Sequence, residues 1–401
     1  MQSQYLTKQY KNVWCTSVPN LTIEKAQQYL RDHGIDLWLI VTAEGKDIHS
    51  PFLLGARCFG RHAIIIPKDG SPIAICTLME VPMVQKAKQI EEILPYKKSE
   101  EFIEKLREIV YKISRKPIIA LNYVENLYKD GGEAINTLTY GDYLALRKIF
   151  PDATFVSAQG LLENLRTIKT PEDVKLHEKA VEIALEAMEK AVESIKPGVT
   201  ESEVAAEAEH FMRKRGATPS FPIIVASGPN SADPHHETGE RKIQEGDLVI
   251  IDLGAEYELR VSDITWTVYV GENPPELFQR MFNVALEAQR KAINAIGPGV
   301  EAWKIDKVAR DIILKHGFKE EEFPHSTGHP IGIDVHDIGP LLGEKGKSKR
   351  AEMKLLPGMI VTVEPGIYIQ GKGGVRIEDD VLVTEKGHRV LSRTPDELIC
   401  I

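Results

Sequence analysis

Short apolar runs alternate with amphipathic segments between residue 22 and about residue 160. Segments 22–33 and 99–113 repeat their apolar residues at the spacing of a helix. The apolar runs are short and bounded by turn-forming residues, which predicts strands. They cover residues 36–42, 63–67, 72–76 and 118–121. This alternation of helices and strands is typical of an α/β domain with a mixed sheet.

From about residue 168 the chain carries one pattern twice. Ile195 to Val199 (IKPGV) has a counterpart 101 residues later, in Ile296 to Val300 (IGPGV). Each Pro-Gly turn lies between two amphipathic helices, the first of which begins behind the N-cap Thr170. Segments 245–254 and 357–366 then each contain a glycine, an apolar strand, a carboxylate and a second glycine. The repetition predicts two copies of a helix-helix-strand-strand unit, packed about a pseudo-twofold axis.

The repeated strands place four carboxylates at related points. Asp252 and Asp263 flank a hairpin in the first copy, and Glu364 and Glu378 take the corresponding places in the second. Four acids near one axis repel each other, and burying uncompensated charge is very costly. Nearby Lys and Arg are too few to balance them, so metal ions are the simplest counter-charge. The segment HSTGHPIGIDVHD, residues 325–337, adds three histidines beside these acids.

A histidine added to four carboxylates makes a five-ligand site with room for two ions that share oxygens. Such a pair acts as a Lewis acid and generates hydroxide at neutral pH. Oxygen-rich ligation with one imidazole favours Mn, Co or Fe, with Zn as a further option. A single aspartate at a strand end is more often a turn residue, and a single histidine between glycines is more often a surface residue. Four acids at repeat-related positions are much harder to explain in that way.

With these residues in view, the chain resembles the pita-bread metallopeptidases, and among them the Xaa-Pro dipeptidases (prolidases) and Xaa-Pro aminopeptidases (aminopeptidase P). The resemblance covers nearly the whole chain. It implies an α+β protein with a creatinase-like N-terminal α/β domain over residues 1–165 and a duplicated pita-bread catalytic domain over residues 166–401. The motifs that carry it are Ile251-Asp-Leu-Gly254, Ser262-Asp-Ile-Thr265, Gly328-His329, Val363-Glu-Pro-Gly-Ile-Tyr368 and Val375-Arg-Ile-Glu-Asp379.

The resemblance also implies roles for individual residues. Asp263 and Glu378 would bridge two divalent ions, and Glu364 would double as the acid and base on the attacking water. His235 would steady the substrate and the tetrahedral intermediate, with His336 as a second such histidine. The full implied set is Asp252, Asp263, His329, Glu364 and Glu378 as metal ligands, His235, His336, Arg376 and Glu364 as catalytic residues, and Thr265 and His325 as residues behind the ligands.

The implied reaction is hydrolysis of the Xaa-Pro bond of a dipeptide, in which a bridging hydroxide attacks the scissile carbonyl. Arg376 is the candidate partner for the carboxylate of such a substrate. One alternative is an Xaa-Pro aminopeptidase that accepts longer peptides. Another is a creatinase-like or catalytically inactive protein, which loss of ligands would mark. Methionine aminopeptidase fits less well, because it needs no large N-terminal domain.

Two positions depart from the family pattern. Trp266 stands where the family commonly has arginine, so packing is expected to replace a structural ion pair. Pro330 follows His329, where glycine or an aromatic residue is common, and is expected to reshape the edge of the pocket. The segment between His336 and Pro357 is long, and its loop is expected to narrow access.

Composition narrows the choice of partner and compartment. The formal net charge of −9 argues against a nucleic-acid-binding protein, which usually carries a basic surface. No apolar run approaches the length of a membrane span, and the first fifteen residues lack the apolar core of a signal peptide. Cysteines 15, 58, 76 and 400 form no CxxC pair. We therefore expect a cytoplasmic peptidase, and the resemblance implies a homodimer formed through the N-terminal domain.

Overall fold

The structure is a computed structural model that describes residues 21–87, 89–126 and 134–401. The first fifteen residues, in which no signal peptide was predicted, lie outside these residues, as does Cys15. The chain divides into two compact units between Arg166 and Thr167.

The first unit is built on one six-stranded mixed sheet of order β4-β3-β2-β1-β5-β6. Strand β1 pairs antiparallel with β2 and parallel with β5, which confirms the mixed sheet expected from the apolar runs. The elements are α1 Leu21–Asp32, β1 Leu37–Thr42, α2 His49–Leu54, β2 His62–Pro67, β3 Ile73–Thr77, α3 Val81–Val84, β4 Glu92–Tyr96, α4 Ser99–Ile113, β5 Ile118–Leu121, α5 Tyr140–Ile149, β6 Thr154–Ser157 and α6 Gln159–Arg166.

Two strands of this sheet were not predicted. Strand β4 contains Pro95, which lacks the N–H that a central strand needs, and β6 is only four residues long. Both lie at the edges of the sheet, where a proline and a short strand are tolerated.

The second unit begins with two helices, and the start of the first behind the N-cap Thr170 was predicted. Thr170 and Thr200 each form a capping box with the acid three residues later. The elements are α7 Pro171–Ser194, α8 Glu201–Lys214, β7 Thr218–Pro219, β8 Ile224–Ser227, β9 Leu248–Leu253, β10 Ala255–Tyr257, β11 Arg260–Val261, β12 Ile264–Tyr269, α9 Glu276–Ala295, α10 Ala302–Lys315, β13 Ile360–Val363, β14 Gly366–Ile369, β15 Gly373–Arg376, β16 Asp379–Thr384, β17 Gly387–Val390 and β18 Ile399–Cys400.

The predicted duplication is present in this unit. Helices α7 and α8 pack together, as do α9 and α10, and each pair covers its own apolar core. Strand β9 pairs antiparallel with β12 in the first copy, and β13 pairs antiparallel with β16 in the second. The copies join where the Glu378 N–H donates to the Thr265 carbonyl over 3.0 Å. The strands that carry the acids therefore meet in the middle of the unit.

The side chain of Trp266 packs in the apolar core, as expected for a position where packing replaces an ion pair. It is buried in the core of the first copy, and its indole N–H donates to the Arg393 carbonyl over 3.0 Å. Within the described residues, no helix combines the length and the apolar character that crossing a membrane requires.

Candidate metal centre

The hairpins bring the four acids to one place. Asp252 is the fifth residue of β9, one position further into the strand than the sequence indicated, and Asp263 directly precedes β12. Glu364 follows β13, and Glu378 directly precedes β16. All four side chains line one cavity of about 340 Å³, which His329 also lines. The structure therefore gathers the complete ligand set implied by the resemblance.

Three of these side chains are close enough to share an ion. Potential ligand atoms of Asp263, His329 and Glu378 all lie within 4.8 Å of one another. The Nε2 atom of His329 is 3.5 Å from an oxygen of Asp263 and 3.4 Å from an oxygen of Glu364. Oxygen atoms from several carboxylates around a single imidazole nitrogen suit a divalent transition-metal ion.

A tight backbone contact fixes His329. Its N–H donates to the hydroxyl of Thr362 over 3.1 Å, and its carbonyl accepts the N–H of Thr362 over 2.8 Å. A Cβ atom on the preceding Gly328 would lie 2.0 Å from the Thr362 carbonyl oxygen. Only glycine therefore lets this segment approach β13, which explains why a glycine precedes the histidine.

The electrostatics of the site call for cations. Burial and the neighbouring acids raise the pKa of Asp263 and of Glu378 well above their usual range. Burial also raises the pKa of Glu364 to about 8, although Arg376 opposes this rise. The Oδ1 atom of Asp252 is buried and hydrogen-bonds to none of the described residues. Four acids with raised pKa values or an unpartnered oxygen fit a site that holds divalent ions.

His329 is suited to coordinate such an ion. Burial, followed by the charge of His336, lowers the pKa of its imidazole to about 3. The ring is therefore neutral at physiological pH, which is the form that binds a metal.

Arg376 links the two copies behind the acids. Its Nη2 donates to Oδ2 of Asp252 over 2.6 Å, and its Nη1 donates to the hydroxyl of Tyr368 over 2.9 Å. Its Nε lies 3.3 Å from the hydroxyl of Thr265, which itself donates to Glu378 over 2.7 Å. Arg376 and Thr265 thus orient one acid from each copy.

These bonds correct one expectation about Arg376. The side chain is 3% exposed, and its guanidinium is engaged by Asp252 and Tyr368. It is therefore not available to receive the carboxylate of a dipeptide. Among the described residues that line the cavity, it is also the one lysine or arginine.

Tyr368 is a residue whose contacts the sequence did not reveal. Its hydroxyl accepts from Arg376 and lies 2.9 Å from Nε2 of His325. Because Nδ1 of His325 lies 2.8 Å from the Ser326 carbonyl, Nδ1 carries the proton and Nε2 accepts the tyrosine hydrogen. Burial and the charge of Arg376 lower the pKa of His325 to about 3, which agrees with a neutral ring. The sequence signal that could have pointed to Tyr368 was its place at the end of the motif Val363-Glu-Pro-Gly-Ile-Tyr368.

The two remaining histidines lie at the wall of the cavity. His235 and His336 both line it, and the ring centroid of His336 is 4.4 Å from that of His329. Apolar side chains complete the wall, and they belong to Phe221, Ile224, Pro234, Val335 and Leu341. The cavity thus combines a polar floor with an apolar wall, as a peptide site requires.

A second pair of charged residues holds the histidine-rich segment. Asp306 of α10 accepts the N–H and the hydroxyl of Thr327, and it pairs with Arg310 over 3.0 Å. Arg310 also donates to the Phe323 and His325 carbonyls. An aspartate and an arginine four positions apart are typical of many exposed helices, so the sequence carried no distinct signal for this pair.

Comparison with known proteins agrees with this geometry. Residues 22–168 match the Creatinase/Prolidase N-terminal domain, and residues 175–385 match Metallopeptidase family M24. The Xaa-Pro dipeptidase of Pyrococcus furiosus is 36% identical over 378 residues, which cover 94% of this chain and 99% of the relative.

Solved structures with the same fold include both types of Xaa-Pro enzyme. The prolidase from Pyrococcus horikoshii OT3 has a TM-score of 0.81 at 34% identity and covers 94% of this chain and 100% of its own. The X-Pro aminopeptidase from Thermotoga maritima MSB8 has a TM-score of 0.81 at 31% identity, with 93% and 100% covered. The expected creatinase-like and pita-bread architecture is confirmed, and this chain belongs to metallopeptidase family M24.

Proposed function

We propose that this metallopeptidase is an Xaa-Pro dipeptidase that uses two divalent ions. The observation that carries the proposal is the gathering of Asp263, His329 and Glu378 within 4.8 Å in a cavity that two further acids line. The relative from Pyrococcus furiosus, 36% identical over nearly its whole length, is an Xaa-Pro dipeptidase.

The ions would be held by Asp252, Asp263, His329, Glu364 and Glu378. Their oxygen-rich donor set suits Mn, Co or Fe, with Zn as a further option. When bound, the ions supply Lewis acidity, which polarises a carbonyl and makes water a stronger nucleophile at neutral pH. Burial and the neighbouring acids raise the pKa values of Asp263 and Glu378, so negative charge on these groups is unfavourable without a nearby positive charge.

Glu364 is the residue best placed to move protons. It lines the cavity, and one of its oxygens lies 3.4 Å from Nε2 of His329, beside the other acids. A carboxylate at the reacting centre can accept a proton from water and return it to a leaving group. We assign both transfers to Glu364, and the receiving atom is the proline nitrogen released when the peptide bond breaks.

His235 and His336 would hold the peptide during this step. Both line the cavity beside the acids, where an imidazole N–H can donate to the scissile carbonyl oxygen as negative charge develops on it. Arg376 would act from behind by fixing Asp252, with Thr265 fixing Glu378 in the same way. His325 would fix Tyr368, which bonds to Arg376.

Proline selection would come from the apolar wall of the cavity. A proline residue has a rigid ring and no N–H, so an apolar surface receives it without leaving a donor unpaired. Phe221, Ile224, Val335 and Leu341 provide such a surface. Leu341 belongs to the long segment between His336 and Pro357, which supports the expectation that this segment shapes access.

One observation favours longer peptides as substrates. Arg376, the one lysine or arginine among the described lining residues, is engaged by Asp252. A dipeptide presents its carboxylate to the site, whereas a longer peptide presents a neutral amide at that point. Xaa-Pro aminopeptidase is therefore the second candidate function, and the fold of the Thermotoga maritima enzyme is compatible with it.

The test uses the metal-stripped protein reloaded with Mn or Co. Activity is measured on alanyl-proline and on alanyl-prolyl-alanine, with the unloaded protein as control. Metal-dependent cleavage of the dipeptide alone supports the dipeptidase, and preferential cleavage of the tripeptide supports the aminopeptidase. If the loaded protein cleaves neither peptide, proline-directed hydrolysis is wrong.

The oligomeric state and the cellular compartment of the enzyme stay predictions. We expect a homodimer in the cytoplasm that acts on small peptides with proline at the second position. Cys58 and Cys76 are buried and free, which agrees with reduced thiols. Sedimentation of the purified chain tests the dimer directly.

A further inference from the structure

The loop that carries His235 runs from Gly228 to Gly239 and follows β8. His235 lines the cavity, and its backbone N–H donates to the carboxylate of Asp233 over 3.0 Å. The backbone of the loop therefore determines whether the ring can reach the cavity. We propose that Glu201, at the start of α8, is a positioning residue that holds this loop and so directs His235 into the cavity. The inference rests on the proposed function, because His235 has this task only if a peptide is hydrolysed there.

Glu201 binds the loop at several points. One carboxylate oxygen accepts the N–H of Ser227 over 2.8 Å, the hydroxyl of Ser227 over 2.7 Å and the side-chain amide of Asn230 over 3.0 Å. The other oxygen is 2.8 Å from Nε2 of His236 and accepts the N–H of Gly239 over 3.3 Å. The carboxylate therefore holds both ends of the loop and the residue next to His235.

The carboxylate is charged although it is fully buried. Burial alone would raise the pKa of Glu201, but the hydrogen bonds from Ser227 and His236 outweigh it and lower the pKa. The side chain also lies in the first turn of α8, where free backbone N–H groups favour a negative charge. A buried charge held by so many donors fixes their geometry strongly, because each donor would lose a charged partner on leaving.

His236 transfers this restraint to His235. The two residues are adjacent, and the His236 ring points to Glu201 while His235 lines the cavity. The backbone of the loop is further bound to α8, since the N–H and the hydroxyl of Ser202 both donate to the Gly239 carbonyl. A shift of the backbone that carries His235 away from the cavity would therefore strain the contact between His236 and Glu201.

The other side of the loop is clamped against β15. The N–H of Gly374 donates to the hydroxyl of Ser231 over 2.8 Å. A Cβ atom on Gly374 would lie 1.9 Å from the Ser231 carbonyl oxygen, so only glycine permits this approach. Arg376 lies two residues further along the same strand. The loop is thus held between α8 and the strand that carries Arg376.

The second copy uses a related device. Asp306 of α10 is 2% exposed and accepts the N–H and the hydroxyl of Thr327, as Glu201 accepts those of Ser227. In both copies a buried carboxylate on the second helix holds a site segment through one serine or threonine. The parallel supports a positioning role, because the two segments carry different site histidines.

The test compares Glu201→Gln with Glu203→Gln. Glu203 lies in the same helical turn, is exposed, and its carboxylate accepts the N–H and the hydroxyl of the N-cap Thr200. Each variant is also made with His235→Ala. Activity is measured as kcat and KM on alanyl-proline or alanyl-prolyl-alanine, metal content is measured by mass spectrometry, and amide exchange is followed over residues 228–238.

We expect Glu201→Gln to lower kcat by about tenfold, as loss of an orienting partner typically does, at unchanged metal content. Amide exchange in the loop should become faster. Glu203→Gln should change neither kcat nor the amide exchange of the loop. Combined with His235→Ala, Glu201→Gln should lower kcat by less than about twofold more, because both substitutions act through one ring. An equal tenfold loss in that background, or unchanged exchange in the loop, would show that the proposal is wrong.

A second pair of variants applies if Glu201→Gln does not fold. His236→Gln keeps a donor for Glu201 and should retain kcat, whereas His236→Leu should lose it. Wild-type protein that cleaves neither peptide would refute the proposed function, and amide exchange alone would then decide whether Glu201 holds the loop.

Discussion

Arg376 and Asp252 form a buried ion pair of 2.6 Å between residues 124 positions apart. The bond takes Oδ2 of Asp252 and leaves Oδ1 buried and without a bond to any described residue. The arginine therefore orients the aspartate, and under the proposed function the remaining oxygen would bind a cation.

Replacing Arg376 by lysine tests this orientation, because the charge is kept while the planar fork is lost. We expect the affinity of the metal-stripped protein for Mn to fall by about tenfold, as loss of an orienting partner typically causes. Calorimetric titration with Mn measures the change. Arg213→Lys, in an exposed pair with Glu209, serves as the control and should leave the affinity unchanged. Equal affinities in wild type and Arg376→Lys would contradict the orienting role.

Replacing Glu364 by glutamine tests proton transfer. An amide keeps an oxygen in the cavity but cannot accept and return a proton at neutral pH. We expect kcat on the preferred Xaa-Pro peptide to fall by about 10²–10⁴-fold, the usual contribution of a general acid or base. The exposed Glu385→Gln is the matched control and should keep full activity. Metal content must be measured alongside, and a fully metal-loaded Glu364→Gln enzyme with normal kcat would refute the assignment.

Replacing Gly328 by alanine tests the close approach beside His329. The added Cβ would lie 2.0 Å from the Thr362 carbonyl oxygen, so the backbone must shift. We expect a loss of about 1–3 kcal/mol in the free energy of unfolding, typical of overpacking, together with weaker Mn binding. Urea unfolding measures the first effect. Gly297→Ala is the control, because its Cβ would meet only a contact of 3.9 Å. Similar stability in both variants would contradict the steric explanation.

His177 predicts how stability depends on pH. Its Nδ1 is 2.7 Å from the Val261 carbonyl, and burial, followed by the charge of Lys169, lowers its pKa to about 3 from the ordinary 6.5. The unfolded chain takes up a proton below pH 6.5 that the folded chain refuses until about pH 3. This contribution to stability is therefore complete above pH 6.5 and declines as the pH falls.

For His177→Gln we expect the pH dependence to become shallower. Between pH 7.5 and pH 5 the variant should lose about 2 kcal/mol less free energy of unfolding than the wild type, from linkage of the shifted pKa. Urea unfolding at both pH values measures this difference of differences. The exposed His210→Gln should follow the wild type. Identical slopes for wild type and His177→Gln would show that His177 is not buried in its neutral form.

The sequence predicted the elements that obey local rules. The helix start at Thr170 and the hairpin between Asp252 and Asp263 follow from short-range patterns, so their positions could be predicted. The four acids that line the cavity could be predicted because the duplication places them at related points. Strand β4 was not predicted because it contains Pro95. A proline is tolerated in a strand at the edge of a sheet, and the sequence does not show that β4 lies there.

The residues that support the site were harder to predict for a physical reason. Tyr368 and Glu201 act through partners 43 and 26–38 positions away, and no local spacing marks such contacts. The motif identified Arg376 as a site residue, but the prediction that it binds the substrate carboxylate was wrong. Its burial against Asp252, which the sequence does not show, decides that it faces an acid of the site rather than a substrate carboxylate.

The joining of the two copies has a consequence for how the chain acquires its site. The contacts between Thr265 and Glu378 and between Asp252 and Arg376 span 113 and 124 residues. Contacts between residues so far apart form late in folding, because the chain loses the entropy of closing a long loop before the contact stabilises it. A chain still emerging from the ribosome therefore cannot complete this cluster of acids until Glu378 has been made, so the site forms only after nearly the whole chain has been synthesised.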